Sequence, residues 1–274
     1  GDSVTKPPFH FLISGFTGYR DTRRSIGSIY APGVRQFGVQ FHPEVDQTEC
    51  GKTLFRNFLK LCDVVQDWKP EDTIEKIRRE AKEKIPRDAK CILLFSGGVD
   101  STTLAAIVKQ VLPDRLHCVT IDAGQFREKE NQEIFLHAAA AECPLTVVHA
   151  EERFFEALAG VKDAQEKRRR FREQYQRIIE EQAEDMGASV IFQGTLAPDR
   201  IESGQTGGAE IVAHHNVGFE IPGIVQMDPL GEFFKDEVRE LARRLGLPPS
   251  VSERMPFPGP GLFVRVLGSP PRPD

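Results

Sequence analysis

The sequence predicts an α/β protein built on a doubly wound parallel sheet, with a smaller β-rich segment ahead of it. Three observations predict this. From residue 91 onward short apolar runs, at 91–95, 116–121, 145–149 and 189–193, alternate with stretches of helical period, the pattern of repeated βαβ units. The first run passes through Phe95-Ser96-Gly97-Gly98-Val99-Asp100-Ser101 straight into a helix marked by Leu104, Ile107, Val108 and Val111. A chain of 274 residues can also bury such a core and still hold a second unit.

Composition narrows the function classes. The formal net charge of -5 gives no basic field that would argue for nucleic acid or a membrane surface. No apolar run is long enough to span a bilayer, and Gly1-Asp2-Ser3 does not open a signal sequence. The 5 cysteines (Cys50, Cys62, Cys91, Cys118 and Cys143) are odd in number and lack Cys-x-x-Cys spacing. They suit reduced thiols, mostly small core residues, so a cytoplasmic protein is expected.

In chain order, residues 9–13, 26–30 and 36–41 read as short strands separated by turn residues. His42-Pro43-Glu44 follows the third. Residues 51–61 then read as a helix with Leu54, Phe55, Phe58 and Leu61 on one side. So small a β-layer makes a poor core alone, and it reads as the tail of a larger domain. Residues around 63–70, with the single Trp68, read as a linker. A helix over about 71–85 sets Ile74, Ile77, Ala81 and Ile85 on one face. That linker separates the β-rich segment from the α/β part.

The stretch from Ser96 to Ser101 carries the chemistry. Gly97 and Gly98 let the backbone fold tightly and approach a bulky anion. The free N–H groups of the following helix start favour negative charge. Ser96, Ser101 and Thr102 add hydroxyls, and Asp100 offers a hard oxygen for Mg²⁺. In open parallel sheets, ligands lie beyond the carboxyl ends of the strands. Asp122 and Gly124 after the second strand, and Gly194 and Thr195 after the fourth, therefore join Ser96, Gly97, Gly98, Val99 and Asp100 in one expected crevice, with nucleotide as its economical occupant. His42 and Glu44 have the spacing of a general base and its orienter, though such spacing alone also fits a surface His-Pro turn. The Lys167-Arg168-Arg169-Arg170 run fits a solvated helix face better than a phosphate grip.

The Ser-Gly-Gly-Val-Asp-Ser loop resembles the pyrophosphate loop of the ATP pyrophosphatases, which split ATP between its α- and β-phosphates. Gly38-Val39-Gln40-Phe41-His42-Pro43-Glu44 resembles the closing motif of class I glutamine amidotransferases, whose His and Glu complete a Cys-His-Glu triad; the family's Gly-x-Cys-x-Gly elbow has no counterpart here. Further on, Gln193-Gly194-Thr195, Pro198-Asp199, Ile201-Glu202-Ser203, His214-His215-Asn216-Val217-Gly218, Phe234-Lys235-Asp236-Glu237 and Pro256-Phe257-Pro258-Gly259-Pro260-Gly261 resemble motifs of the glutamine-hydrolysing GMP synthase family. The ordered set covers essentially the whole chain.

That resemblance implies an amidotransferase remnant over 1–67, an ATP pyrophosphatase domain over 68–254 and the start of a dimerisation domain over 255–274. It implies ATP and Mg²⁺ as cofactors, XMP and ammonia or glutamine as substrates, and a homodimer for the full-length family. ATP would adenylate XMP, and ammonia would displace AMP to give GMP. Asp100 would hold Mg²⁺ and Lys235 would neutralise phosphate charge, while Asp199, Glu202, His214, His215 and Asn216 would lie on the XMP side. The two histidines are equally read as structural, and Lys235 as a cation on an exposed helix start. Four positions depart from the family pattern: Met255 for His, Val212 for Lys, Arg172 for Gly and Ala123 for Asn. The lost cation at Val212 and imidazole at Met255 weaken the expected XMP side more than the ATP side. A nucleotide-binding paralogue without XMP turnover is the alternative, and XMP turnover by this chain alone is expected to be low.

Overall fold

The computed structural model describes residues 4–17, 25–45, 47–65, 67–124, 126, 129–202 and 221–254. The chain divides into two compact units, Gly1–Trp68 and Lys69–Asp274.

In the first unit three strands, β1 (Leu12–Thr17), β2 (Ser25–Ala31) and β3 (Gln36–Val39), form an antiparallel sheet in sequence order. The first strand lies later than the expected 9–13. Pro7-Pro8 starts a turn closed by the Phe11 amide donating to the Pro8 carbonyl at 3.1 Å, and His10 sits at φ 76°. A left-handed residue cannot continue a strand, so extension begins only after it. Helix α1 (Gly51–Leu61) follows, and Phe58 meets Phe37 edge-on with ring centroids 5.7 Å apart. A groove of about 500 Å³ remains, lined by Ile29, Phe37, Leu54, Phe55, Phe58 and Leu61 among others.

The second unit is a five-stranded sheet of β4 (Lys90–Leu94), β5 (Leu116–Asp122), β6 (Leu145–His149), β7 (Ala188–Phe192) and β8 (Val225–Met227), in spatial order β6-β5-β4-β7-β8. Each recorded pairing is parallel. The order reverses between β4 and β7: β5 and β6 step away on one side, β7 and β8 on the other.

Both faces of this sheet are covered, as a parallel sheet requires. Along β4 the side chains alternate: Cys91 and Leu93 enter one core, Ile92 and Leu94 the other. The first core takes residues of α2 (Pro70–Lys84), α3 (Val99–Lys109), α4 (Glu130–Ala140), α8 (Lys235–Arg244) and α9 (Pro249–Ser252). The second takes Phe154 and Leu158 of α5 (Glu151–Leu158) with Phe171, Ile178, Ile179 and Ala183 of α6 (Ala164–Met186). A short α7 (Ala197–Glu202) follows β7.

The local signals explain the boundaries. Pro70 occupies the first turn of α2, where its missing N–H costs nothing. The Asp163 carboxylate caps α6 by accepting from the Glu166 amide at 2.8 Å, and Gly187 at φ 62° ends it. Helix α3 buries residues around its whole circumference, from Val99 and Ser101 to Val108, so it is a core helix. Among the described residues, no helix is long and apolar enough to cross a membrane.

Candidate nucleotide site at the sheet reversal

The loop between β4 and α3 lies at the carboxyl end of β4, beside β7, where the strand order reverses. Gly97 takes φ 66°, and a Cβ there would stand 2.8 Å from the Ile134 side chain, so only glycine fits. The Gly97 carbonyl accepts from His137 Nδ1 at 2.7 Å and from Arg254 Nη1 at 2.5 Å. Ser96 and Ser101 hydroxyls stand 3.2 Å apart, and the Gly98 amide donates to Ser96 Oγ at 3.3 Å. Ser96 is exposed, whereas Ser101 and Thr102 are buried at the start of α3.

Gly194 closes the other wall. A Cβ there would meet the Ser101 amide nitrogen at 3.2 Å and Asp100 at 3.3 Å, so the glycine lets the end of β7 touch the first turn of α3. Thr195 is buried, and its hydroxyl donates to Asp228 Oδ1 at 2.9 Å. Asp122, at the end of β5, is buried; its carboxylate accepts from the Gly124 amide at 2.9 Å and from Asn131 Nδ2 at 3.1 Å.

Asp100 sits in the first turn of α3 with its side chain 21% exposed. Lys235, the first residue of α8, reaches across and donates from Nζ to Asp100 Oδ2 at 2.5 Å. The other oxygen, Oδ1, is buried and has no hydrogen-bond partner among the described residues. Burial raises the Asp100 carboxyl above the ordinary carboxylate range, and the Lys235 charge opposes that rise. A buried, open carboxylate oxygen beside an anion-ready loop fits Mg²⁺, which takes one or two carboxylates and completes its shell from phosphates and water. The residues present therefore fit the ion.

The remaining expected residues fall in three groups. Asp199 accepts from the Leu196 amide at 2.9 Å at the start of α7, and Glu202 belongs to the same helix. His214, His215, Asn216, Val212 and Met255 lie outside the described residues. His42 and Glu44 belong to the first unit: His42 Nδ1 stands 2.6 Å from Glu44 Oε1, with side chains 81% and 56% exposed. Backbone hydrogen bonding and then His42 hold the Glu44 carboxyl below its ordinary range. In the basic run, Lys167 is buried, and Arg169 and Arg170 pair with Glu166 at 2.6 and 2.7 Å. Those two arginines are engaged along their own helix, in line with a helix-face reading.

Arg254, Glu130 and His137 were not legible as site residues. Arg254 reaches Gly97 across 157 positions, and no local pattern marks so distant a contact.

Fold and loop together define the class: an α/β fold of the ATP pyrophosphatase type, with its serine–glycine loop at the sheet reversal. Residues 74–199 match the family described as asparagine synthase, and residues 3–62 the family described as class-I glutamine amidotransferase. Over nearly its whole length the chain is similar to glutamine-hydrolysing GMP synthases. It is 43% identical to that protein of Thermus thermophilus over 97% of this chain and 53% of the relative. The corresponding figures are 40%, 98% and 53% for Carboxydothermus hydrogenoformans, and 41%, 97% and 52% for Pyrobaculum aerophilum. The chain spans about half the length of the curated relatives it matches.

Among solved structures, the fold is similar to an NH3-dependent NAD synthetase from Campylobacter jejuni, with TM-score 0.53, 13% identity, and coverage of 69% of this chain and 79% of that one. It is likewise similar to an NMN synthetase from Francisella tularensis, with TM-score 0.54, 14% identity, and coverage of 71% and 78%.

Proposed function

We propose that this chain carries the synthetase site of a GMP synthase-type ligase, which activates XMP with ATP and aminates it with ammonia, releasing AMP and pyrophosphate. The observation that carries the reading is Asp100, a half-buried carboxylate paired to Lys235 through one oxygen, whose other oxygen is buried without a hydrogen-bond partner among the described residues, beside the Ser96–Ser101 loop.

On this reading the loop amides and the start of α3 receive the β- and γ-phosphates, where backbone donors and the helix dipole favour negative charge. Asp100 Oδ1 would hold Mg²⁺, which supplies neutralisation of phosphate oxygens when bound. Lys235, which pairs with Asp100, would turn its ammonium towards the departing pyrophosphate and stabilise its growing charge. Asp122 and Gly124 at the end of β5, with Gly194 and Thr195 at the end of β7, would flank the nucleoside. Asp199 and Glu202, with His214, His215 and Asn216, would face XMP. His42 and Glu44 would serve glutamine hydrolysis with a cysteine from the amidotransferase class, whose Gly-x-Cys-x-Gly turn this sequence does not contain.

Two measurements test the proposal. Mg·ATP should bind this chain, and the intact protein containing it should release pyrophosphate only when XMP is present and AMP only when ammonium is present as well. ATP binding without any such release would favour the alternative of a nucleotide-binding paralogue, to which Val212 and Met255 point.

A further inference from the structure

We propose that Arg254 is a positioning residue that locks the peptide plane between Gly97 and Gly98 so that the Gly98 N–H faces the crevice. In a trans peptide the carbonyl and the following N–H point in opposite directions. Fixing the Gly97 carbonyl on one side therefore aims the Gly98 amide to the other. The carbonyl is held twice, by Arg254 Nη1 at 2.5 Å and His137 Nδ1 at 2.7 Å, and the Gly98 amide points to Ser96 Oγ at 3.3 Å. Gly97 lacks a side chain and stands at φ 66°, a conformation open to a peptide flip unless something holds it.

The surroundings are built around this contact. Arg254 Nη2 pairs with Glu130 Oε1 at 2.7 Å, with only 11% and 5% of the two side chains exposed. Glu133 adds a second carboxylate at 3.3 Å. A buried ion pair gains little net stability after desolvation, but it fixes a guanidinium in one place. That guanidinium is the one on the Gly97 carbonyl. Glu130, Ile134 and His137 all belong to α4, so one helix supplies the arginine's anchor, the steric back wall and the second donor.

The clamp also reaches Lys235. The Arg254 carbonyl accepts from Arg239 Nη2 at 3.4 Å, and Arg239 lies one turn after Lys235 on α8. Lys235 in turn holds Asp100 on α3. Loop, α3, α8 and Arg254 therefore form a closed circuit. Arg254 directly precedes Met255 and the Pro-Phe-Pro-Gly-Pro-Gly motif, so this circuit joins the phosphate loop to the segment expected to lead to the XMP side.

The ligand part of the test rests on the phosphate-site reading; the conformational part does not. Amide exchange by mass spectrometry should show the peptide over residues 95–101 exchanging at least tenfold faster in Arg254→Ala, with residues 118–121 of β5 unchanged. Arg254→Ala/Glu130→Gln, which does not strand a buried carboxylate, should behave alike, and Arg254→Lys should restore part of the protection. Affinity for Mg·pyrophosphate should fall about tenfold in Arg254→Ala, while that for AMP stays within twofold. Unchanged loop exchange, or acceleration no greater than in β5, would overturn the proposal. If the parent chain bound no Mg·pyrophosphate while the exchange result held, the clamp would stand and the phosphate-site reading would fall.

Discussion

Lys235 Nζ donates to Asp100 Oδ2 at 2.5 Å, joining the first residue of α8 to the first turn of α3 across 135 positions of sequence. The pair is unbalanced, because the second carboxylate oxygen is buried with no hydrogen-bond partner among the described residues. Burial therefore raises the Asp100 carboxyl above its ordinary pKa of 3.8, despite the lysine. A raised folded-state pKa means that the proton favours folding: this contribution is full below pH 3.8 and lost as pH rises through the folded value. Asp100→Asn should accordingly raise the thermal midpoint of the ligand-free chain at pH 7 by a few degrees, on a scale of about 2–4 °C per kcal/mol. The gain should shrink towards pH 3, and a midpoint lowered at pH 7 would count against the assignment.

Lys235 should matter more for phosphate than for folding. A hydrogen bond to a charged group is worth about 1.5–3 kcal/mol, so Lys235→Gln should weaken Mg·pyrophosphate binding about tenfold or more. Lys235→Arg should restore it only partly, since a planar fork replaces a point charge. Titration calorimetry giving equal affinity for parent and Lys235→Gln would remove the lysine from the site.

The basic run on α6 leads to a contrary expectation. Arg169 and Arg170 hold the Glu166 carboxyl down at about 2, from an ordinary value of 4.5. A depressed carboxyl contributes stability above pH 4.5 that is lost as pH falls towards 2. Glu166→Gln should therefore flatten the acid limb of the stability curve in that window, by a small amount because the pair is exposed. The double variant Arg169→Ala/Arg170→Ala should leave Mg·ATP affinity within about twofold, as expected of surface ion pairs. A large loss would return the run to the phosphate site.

His42 and Glu44 are paired and exposed, but no cysteine of this sequence lies in a Gly-x-Cys-x-Gly turn. An oriented imidazole without a nucleophile performs no acyl transfer. The chain incubated with glutamine should release no glutamate above buffer. Release that His42→Ala abolishes would reveal a nucleophile elsewhere.

Much of the sheet was legible because its signals are local. Residues 145–149 form β6 as expected, and the other three expected strands of the second unit shift by about one residue at most. Ile74, Ile77 and Ala81 are buried on the inner side of α2, with Ile85 buried just past its end. The first strand was misplaced because Phe9 is apolar, while the left-handed turn at His10 is a backbone property that hydropathy does not encode. Strand β8 was missed because Val225–Met227 is only 3 residues long, too short for a period. The loop itself was readable from Gly97, Gly98 and Asp100, but its clamp was not. Arg254, Glu130 and His137 meet only through tertiary packing.

A Mg·ATP site formed by the Ser96–Ser101 loop with Asp100 is the proposal on which the other assignments rest. Titration of Mg·ATP into the parent chain and into Asp100→Asn tests it most directly, because the substitution removes the ligand charge while preserving shape. The parent should show saturable one-site binding, with affinity at least tenfold weaker in the variant. Equal affinity for the two, or no binding by a folded parent, would contradict it.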